Sequence, residues 1–184
     1  MLNGNMKVLI ACEESQEMCK AFRELGAESY SCDIQECSGG HPEWHIKGDA
    51  IKVMKSQQWD LIIAHPPCTY LTKAGAINIP MKRFGLPPYT QLLYAWQFGE
   101  NHNKPFCFWE YNIPKIKPPI SIKPQIELYK WVNSKTGQIM TMSKWYVKCG
   151  GKDHSKKRSK TSPLVAKIIA EQLFSYIKEL NNEN

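Results

Sequence analysis

Residues 7–33 read KVLIACEESQEMCKAFRELGAESYSCD, and this stretch decides the fold. It opens with a short apolar run at Lys7–Ala11, which is typical of a buried strand. The next apolar residues follow the i, i+3, i+4, i+7 spacing of one helix face: Met18, Ala21, Phe22 and Leu25. Residues 28–32, ESYSC, then show the alternating pattern that is typical of a strand. The stretch therefore predicts a strand–helix–strand unit.

The flanking residues extend this interpretation. Ser15 is placed to cap the start of the helix, and Gly26 to supply a left-handed residue at its end. WDLIIA at 59–64 predicts a third, buried strand. Strands separated by crossover segments predict an α/β protein with a mostly parallel sheet.

Polar residues follow each predicted strand. Ligands bind beyond the carboxyl ends of the strands in such sheets, so we expect these residues to meet at one edge. After the first strand they are Cys12, Glu13, Glu14 and Ser15; after the second, Asp33 and then Ile34; after the third, His65, Pro66, Pro67 and Cys68.

Two acids in this set suggest a nucleoside ligand. Asp33 lies at the position where a doubly wound fold has an acid that hydrogen-bonds the ribose hydroxyls. Asp49 lies before the next element and is placed to contact an adenine or an amino group. The alternative is that both are turn residues. The first loop has no glycines to cradle a pyrophosphate, which disfavours a dinucleotide.

Cys68 follows two prolines, which would hold its thiol rigidly at the sheet edge. The position suits a nucleophile assisted by a nearby cation, for which His65 is one choice. The alternative is a small buried residue, and the two interpretations stand about even.

A second group of residues resembles a zinc site. Cys32, Cys37, His41 and His45 have the spacing C-x4-C-x3-H-x3-H. Zinc sites usually pair their ligands across a longer segment, and Cys32 is needed in a strand. We therefore predict no metal, with His45 packed or hydrogen-bonded in a Gly-Gly-His-Pro loop.

Length and local pattern predict one domain over residues 1–184. We expect a ligand-binding core over 1–77, an irregular basic region over 78–160 and a C-terminal helix over 161–180, begun by Ser162 and Pro163. Eight of the twelve prolines fall within 78–124, so long helices are excluded there except around 90–98. Residues 106–109 and 145–149 suggest strands, and 152–160 a polar loop.

Charge is divided unevenly along the chain. Residues 1–100 carry a net charge of −2, whereas residues 101–184 carry +9. Lys156, Lys157, Arg158 and Lys160 form a cationic cluster before the last helix, where cations oppose the helix dipole. Phosphate contact explains such a cluster, with DNA or a small nucleotide as the partner. A solvated loop is the alternative.

Seven cysteines, an odd number, and the lack of a signal-like N-terminus predict a cytoplasmic protein without a disulfide framework. No apolar run approaches the ~20 residues that span a bilayer, so we expect no membrane partner. The sequence does not indicate an oligomeric state.

Several strings resemble phage and mobile-element DNA cytosine methyltransferases, which belong to the S-adenosylmethionine-dependent superfamily. They are VLIACEESQ, YSCDIQECSGGHPEWHIKGDA, WDLIIAHPPCTYL, YAWQFGENHNKPFCFWEYNIPKIKP and KDHSKKRSKTSPLVAKIIAEQLF. The resemblance covers about three quarters of the chain and implies a Rossmann-like methyltransferase sheet. If phage-encoded, the protein would act in the host cytoplasm.

The resemblance also implies roles for individual residues. HPPC is similar to the Pro-Cys motif of cytosine-5 methyltransferases, so Cys68 would attack C6 of a flipped cytosine beside Pro67 and His65. The S-adenosylmethionine pocket would be lined by Glu13, Asp33 and Asp49, with Cys12, Ser15, Ile34 and Pro66 in the same loops. Arg158 and Thr161 lie in a segment similar to the family's RSxT stretch.

The chain departs from this family between HPPC and the QFG segment. Fuller members carry there a further helix and a strand ending in Glu-Asn-Pro, whose glutamate protonates the cytosine ring; this chain has no such motif. The loss of one correctly positioned general acid typically lowers the reaction rate 10²–10⁴-fold. Two interpretations therefore stay open: a shortened, impaired methyltransferase, or an inactive nucleotide- or nucleic-acid-binding protein of a phage decoy or anti-defence type.

Overall fold

The computed structural model describes residues 5–66, 87–152 and 154–183. The chain divides into two compact units, one formed by Met1–Pro88 with Thr161–Asn184 and the other by Tyr89–Lys160. The expectation of one domain over 1–184 stays a prediction.

The described elements follow in chain order. The first are β1 (Lys7–Ala11), α1 (Glu17–Glu24), β2 (Glu28–Asp33), a 3₁₀ helix (Pro42–Trp44), β3 (His45–Lys47), α2 (Ala50–Ser56) and β4 (Leu61–Ala64). The next are β5 (Gln91–Tyr94), a 3₁₀ helix (Ala95–Phe98), β6 (Pro105–Phe108), β7 (Leu128–Val132) and β8 (Ile139–Ser143). The last are α3 (Lys144–Lys148), α4 (His154–Ser159) and α5 (Pro163–Glu183).

A parallel sheet forms the centre of the first unit. Its strand order is β3-β2-β1-β4, and every pairing is parallel. Val8, Leu9 and Ile10 of the central strand β1 are fully buried, as an apolar run in a parallel sheet requires. The predicted α/β class and parallel sheet are confirmed.

Helices α1 and α5 pack against each other in this unit. Met18 and Phe22 of α1 are buried, and α5 contributes a buried stripe at helical spacing: Val165, Ala166, Ile169, Ala170, Leu173 and Ile177. The Ser162 hydroxyl accepts from the Val165 amide at 3.3 Å, and Pro163 is the first helical residue. The predicted cap and helix are confirmed, although α5 runs to Glu183.

The predicted cap of α1 is wrong. The residue before the helix is Gln16, whose backbone is left-handed with φ 59° and whose side chain does not cap. Glu13 takes the role expected of Ser15, because its carboxylate accepts from the Met18 and Cys19 amides. Gly26, at φ 93°, is the left-handed residue expected after the helix.

The second unit is built from two antiparallel strand pairs, β5–β6 and β7–β8. The strand expected near 106–109 is confirmed as β6, and residues 90–98, the stretch in which a helix was not excluded, form β5 and a 3₁₀ turn. The Tyr94 amide donates to the Gln97 side chain at 2.8 Å and Gly99 adopts φ 98°, which limit helical structure to the single 3₁₀ turn Ala95–Phe98.

Two local predictions for this unit are wrong. Residues 145–149 were expected as a strand, yet Ser143 caps the Trp145 amide at 3.3 Å and the chain forms helix α3. Residues 152–160 were expected as a loop, yet they contain helix α4. In both places, short-range helical contacts override the β propensity or polarity of the segment.

Across residues 5–66, 87–152 and 154–183, no helix is both long enough and apolar enough to cross a bilayer.

Candidate functional site

Backbone hydrogen bonds carry the sheet pairing past the ends of the strands. The Glu13 amide donates to the Cys32 carbonyl at 3.1 Å, and the His65 amide donates to the Ala11 carbonyl at 2.8 Å. The first bond joins the loop after β1 to β2, and the second joins the residue after β4 to the end of β1. As predicted, polar residues that follow separate strands are brought to one edge of the sheet.

Cys12 is held in a left-handed conformation, with φ 60°, at the point where β1 ends. Burial raises the pKa of its thiol, and the negative charges of Asp33 and Asp49 raise that pKa further. The same two carboxylates act on the buried thiol of Cys32. Cys12, Asp33 and Asp49, all predicted to lie near a ligand, therefore share one electrostatic environment.

Glu13 is a buried carboxylate, with 5% of its surface exposed. One oxygen accepts from the Met18 amide at 2.8 Å and the other from the Cys19 amide at 3.2 Å. These contacts place a carboxylate on the positive end of α1. Burial nevertheless raises the pKa of Glu13 to about 7. The structure thus assigns Glu13 to positioning α1, while Ser15 is buried beside it.

Asp33 and Asp49 both bind backbone amides. Asp33 Oδ1 accepts from the Gln35 amide at 2.9 Å, which closes a turn directly after β2. Asp49 Oδ1 accepts from the Ile51 amide at 2.8 Å and the Lys52 amide at 3.2 Å, so it is the N-cap of α2. The turn alternative for these acids is therefore confirmed. A carboxylate can accept about four hydrogen bonds, so each of these acids can bind a ligand as well as the backbone amides.

The remaining edge residues differ in accessibility. Ile34 is 75% exposed next to Asp33. His65 and Pro66 follow β4 at the carboxyl edge. Pro67 and Cys68, the residues predicted for catalysis, lie outside the described residues.

Gln16 is a structural residue that the sequence did not indicate. It is fully buried, and its side-chain nitrogen donates to the His41 carbonyl at 2.7 Å and the Ser31 hydroxyl at 3.2 Å. Its side-chain oxygen accepts from the His41 amide at 3.1 Å. The Ser38 hydroxyl donates to the Glu14 carboxylate in the same loop. These bonds fix the 37–41 loop against the loop after β1.

The four residues with zinc-like spacing do not form a metal site. His45 bonds the Ser31 hydroxyl through Nδ1 and the Gln35 carbonyl through Nε2, both at 2.9 Å. His41 pairs with Glu43 at 3.0 Å and stacks on Trp44. Within the part of the chain that the structure describes, no three metal-ligating side chains converge. The predicted hydrogen-bonded His45 is confirmed.

The cationic cluster lies partly on helix α4 instead of in a loop. Lys156, Lys157 and Arg158 belong to α4, Lys160 follows it, and Thr161 is the first residue of the returning segment in the other unit. Lys157 is exposed. The Arg158 guanidinium contacts the protein, because it donates to the Tyr146 carbonyl at 3.3 Å and lies 5.5 Å from the centre of the Tyr146 ring.

Two features of the second unit were missed. Glu110 follows β6, and its Oε2 accepts from the Thr90 hydroxyl at 2.5 Å, while its Oε1 is buried without a hydrogen-bond partner among the described residues. The β7–β8 hairpin presents exposed aromatic and methionine side chains. Alternation in LYKWV and IMTMS could have indicated the hairpin, but no sequence signal distinguished Glu110.

Comparison of the chain with protein-family models, curated proteins and solved structures gave no significant match.

Proposed function

We propose that this protein is a DNA cytosine-5 methyltransferase-like protein that binds S-adenosylmethionine at the carboxyl edge of its sheet. One observation carries the proposal: the all-parallel strand order β3-β2-β1-β4. This is the order of the first four strands of a doubly wound, Rossmann-like sheet, in which ligands bind where the strand order reverses. Here the reversal lies between β1 and β4, the strands that precede CEES and HPPC.

The polar groups at this edge fit a nucleoside methyl donor. Carboxylates accept hydrogen bonds from ribose hydroxyls and from amino groups, and Asp33 and Asp49 both act on Cys12 at the edge. In the proposal, Asp33 holds the ribose and Asp49 the amino group or adenine, while Glu13 fixes the loop. The bound donor would supply the methyl group.

Cys68 supplies the nucleophile in this proposal, on the strength of its resemblance to the Pro-Cys motif. The backbone three residues before Cys68 is fixed to the sheet, because the His65 amide donates a hydrogen bond to the Ala11 carbonyl at 2.8 Å. That bond fixes where the HPPC segment leaves the sheet.

DNA is the proposed second substrate because the unit Tyr89–Lys160 carries a net charge of +9, from 13 Lys and Arg against 4 Asp and Glu. The rest of the chain carries −2. A polyanion is the partner that such a concentration of charge attracts most strongly.

Calorimetric titration with S-adenosylmethionine, S-adenosylhomocysteine and a panel of nucleotides tests the donor site. Asp33→Ala should remove on the order of 1.5–3 kcal/mol of binding, the worth of a charged hydrogen bond. Glu36→Ala is the matched control, because Glu36 is a carboxylate of the same loop that pairs with Lys47 at 2.5 Å. Equal binding by the parent and Asp33→Ala would refute the assigned role.

Catalysis needs a separate test, because the missing Glu-Asn-Pro motif favours a second function: binding of a nucleotide or nucleic acid without turnover. DNA that contains a mechanism-based cytosine analogue should trap a covalent adduct with the parent and none with Cys68→Ser. Donor binding without an adduct would support the binding function. The adduct would support the methyltransferase.

A further inference from the structure

The β7–β8 hairpin presents an exposed face of aromatic and methionine side chains. Side chains two residues apart in a strand point to the same side, and the register pairs Tyr129 with Met142 and Trp131 with Met140. Exposure is 48% for Tyr129, 38% for Met140 and 37% for Met142, and Trp131 is half-buried. We call these four residues the aromatic face.

The two rings of the aromatic face lie against each other. Tyr129 and Trp131 stack with their centres 5.9 Å apart and their planes 25° apart. This spacing is too short for a further ring to enter between them, so a ligand ring would stack on their outward sides. Apolar patches of this kind on a protein surface commonly mark binding sites.

The charge around the hairpin selects the kind of partner. Residues 127–148 contain four lysines and one acid, and that acid, Glu127, already pairs with Lys144 at 3.3 Å. Lys135 lies in the connecting turn, whereas Lys130 lies within β7 on the side opposite the two rings. In a unit of net charge +9, a second copy of the chain would be repelled, whereas a polyanion is attracted.

We propose that the aromatic face binds single-stranded nucleic acid, with bases stacked on Tyr129 and Trp131 and phosphates attracted by the positive charge of the surrounding unit. Bases in a duplex are covered by their neighbours, so only an unpaired strand offers base faces to these rings. The proposal rests on the nucleic-acid partner of the proposed function. To that function it adds which surface binds the nucleic acid, that the nucleic acid is single-stranded, and that its bases stack on the rings.

The full chain is titrated into a fluorescent oligothymidylate of about 15 nucleotides and into a duplex, with fluorescence anisotropy as the readout. Stacking is worth enough that each lost ring should weaken single-strand binding by roughly tenfold. Tyr129→Ala with Trp131→Ala should therefore lose single-strand affinity and change duplex affinity little. The matched control is Val132→Ala with Ile139→Ala, a cross-strand pair on the opposite face, which should bind like the parent.

Ring-preserving variants guard against a misfolded hairpin. Tyr129→Phe with Trp131→Phe should retain binding, and Tyr129→Leu with Trp131→Leu should lose it while keeping the circular dichroism spectrum of the parent. Parent-like binding by the leucine variant overturns the proposal. So does a parent that fails to bind the oligonucleotide at about 50 mM salt, or a dimer in sedimentation that the alanine variant converts to monomer.

S-adenosylmethionine titration of the same variants separates this inference from the donor site. The alanine variant should bind the donor like the parent. Donor binding by a parent that does not bind single strands would overturn the aromatic-face proposal alone. Single-strand binding that depends on the rings, without donor binding, would support the aromatic face and refute the donor site.

Discussion

The side chain of Gln16 bonds the backbone of His41 in both directions. Its nitrogen donates to the His41 carbonyl at 2.7 Å and its oxygen accepts from the His41 amide at 3.1 Å. An amide side chain thereby pairs with a peptide group as a neighbouring strand would. This pairing connects two loops at the carboxyl edge of the sheet, where the donor site is proposed.

Gln16→Ala should lower the free energy of unfolding by about 1–3 kcal/mol, because both His41 backbone groups lose their partner in a partly buried place. Urea denaturation measures this change. Gln16→Gly should be about 1 kcal/mol less damaging than alanine, since glycine adopts the φ of 59° without strain. Equal stability of the parent and the alanine variant would contradict the connecting role.

Gly39→Ala should destabilise the protein by about 1–3 kcal/mol through overpacking. A Cβ at Gly39 would lie 2.5 Å from the Gln16 Cβ and 2.6 Å from the Ser15 carbonyl oxygen, so the same loop contact must open. Gly48→Ala is the control, because a Cβ there meets nothing within 4 Å. A thermal melt in which both variants match the parent would show that the loops are not closely packed.

Glu13 should make stability depend on pH. Burial raises its pKa from 4.5 to about 7 in the folded protein, so the folded chain keeps a proton that the unfolded chain releases. The free energy of unfolding should therefore fall as pH rises from about 4.5 to 7, by about 3 kcal/mol in total, and the loss should be complete above that range.

Glu13→Gln isolates this contribution, because glutamine does not titrate. Denaturant titrations of both proteins between about pH 4 and pH 8 should show the parent losing stability relative to the variant as pH rises. A constant difference across this range would mean that Glu13 has no raised pKa.

Asp33→Asn should speed alkylation of Cys12. The negative charge of Asp33 raises the pKa of this thiol, so its removal should increase the thiolate fraction at a given pH. The rate is measured at Cys12 by peptide mass spectrometry after iodoacetamide treatment. Cys19 is the internal reference, because burial raises its pKa to about 11, and its rate should stay low in both proteins. If the alkylation rate of Cys12 is unchanged, the Asp33 carboxylate does not influence the pKa of this thiol.

Phosphate contacts of the cationic cluster should appear in the salt dependence of duplex binding. Each contact contributes a log–log slope of about −0.9. Lys157→Ala with Lys160→Ala should flatten the slope by nearly two units and weaken all sequences alike, since phosphates carry no base information. Lys167→Ala with Lys178→Ala removes the same charge from α5 as a control. An identical slope for both double variants would leave Lys157 and Lys160 as solvated residues.

Local patterns were sufficient for several elements of the first unit, although they did not predict β3 or α2. The apolar run of β1, the helical spacing of α1 and the cap-and-proline start of α5 are each contained within a few adjacent residues, and the structure has all three. The α/β class follows from their sequence, because parallel strands require crossover connections.

Local patterns failed where capping hydrogen bonds and ring contacts, instead of residue propensity, decide the conformation. In Trp145–Tyr146–Val147 the strand propensity is strong, yet Ser143 caps this segment and the Trp145 ring stacks on His102 with their centres 4.0 Å apart, and it is a helix. The role of Glu13 as a cap depends on a tight turn that brings its carboxylate to amides five and six residues later.

The sequence by itself determined β1, α1, β2, β4 and α5 of the first unit and the placement of polar residues after its strands, because hydrophobic period and chain direction are local properties. Only the tertiary structure decided that Glu13 and Asp49 bind helix amides, that Gln16 joins two loops, and that Tyr129 and Trp131 share an exposed face. Those outcomes depend on which groups the folded backbone brings within hydrogen-bond or stacking distance, and the hydrophobic period of the sequence does not encode that distance.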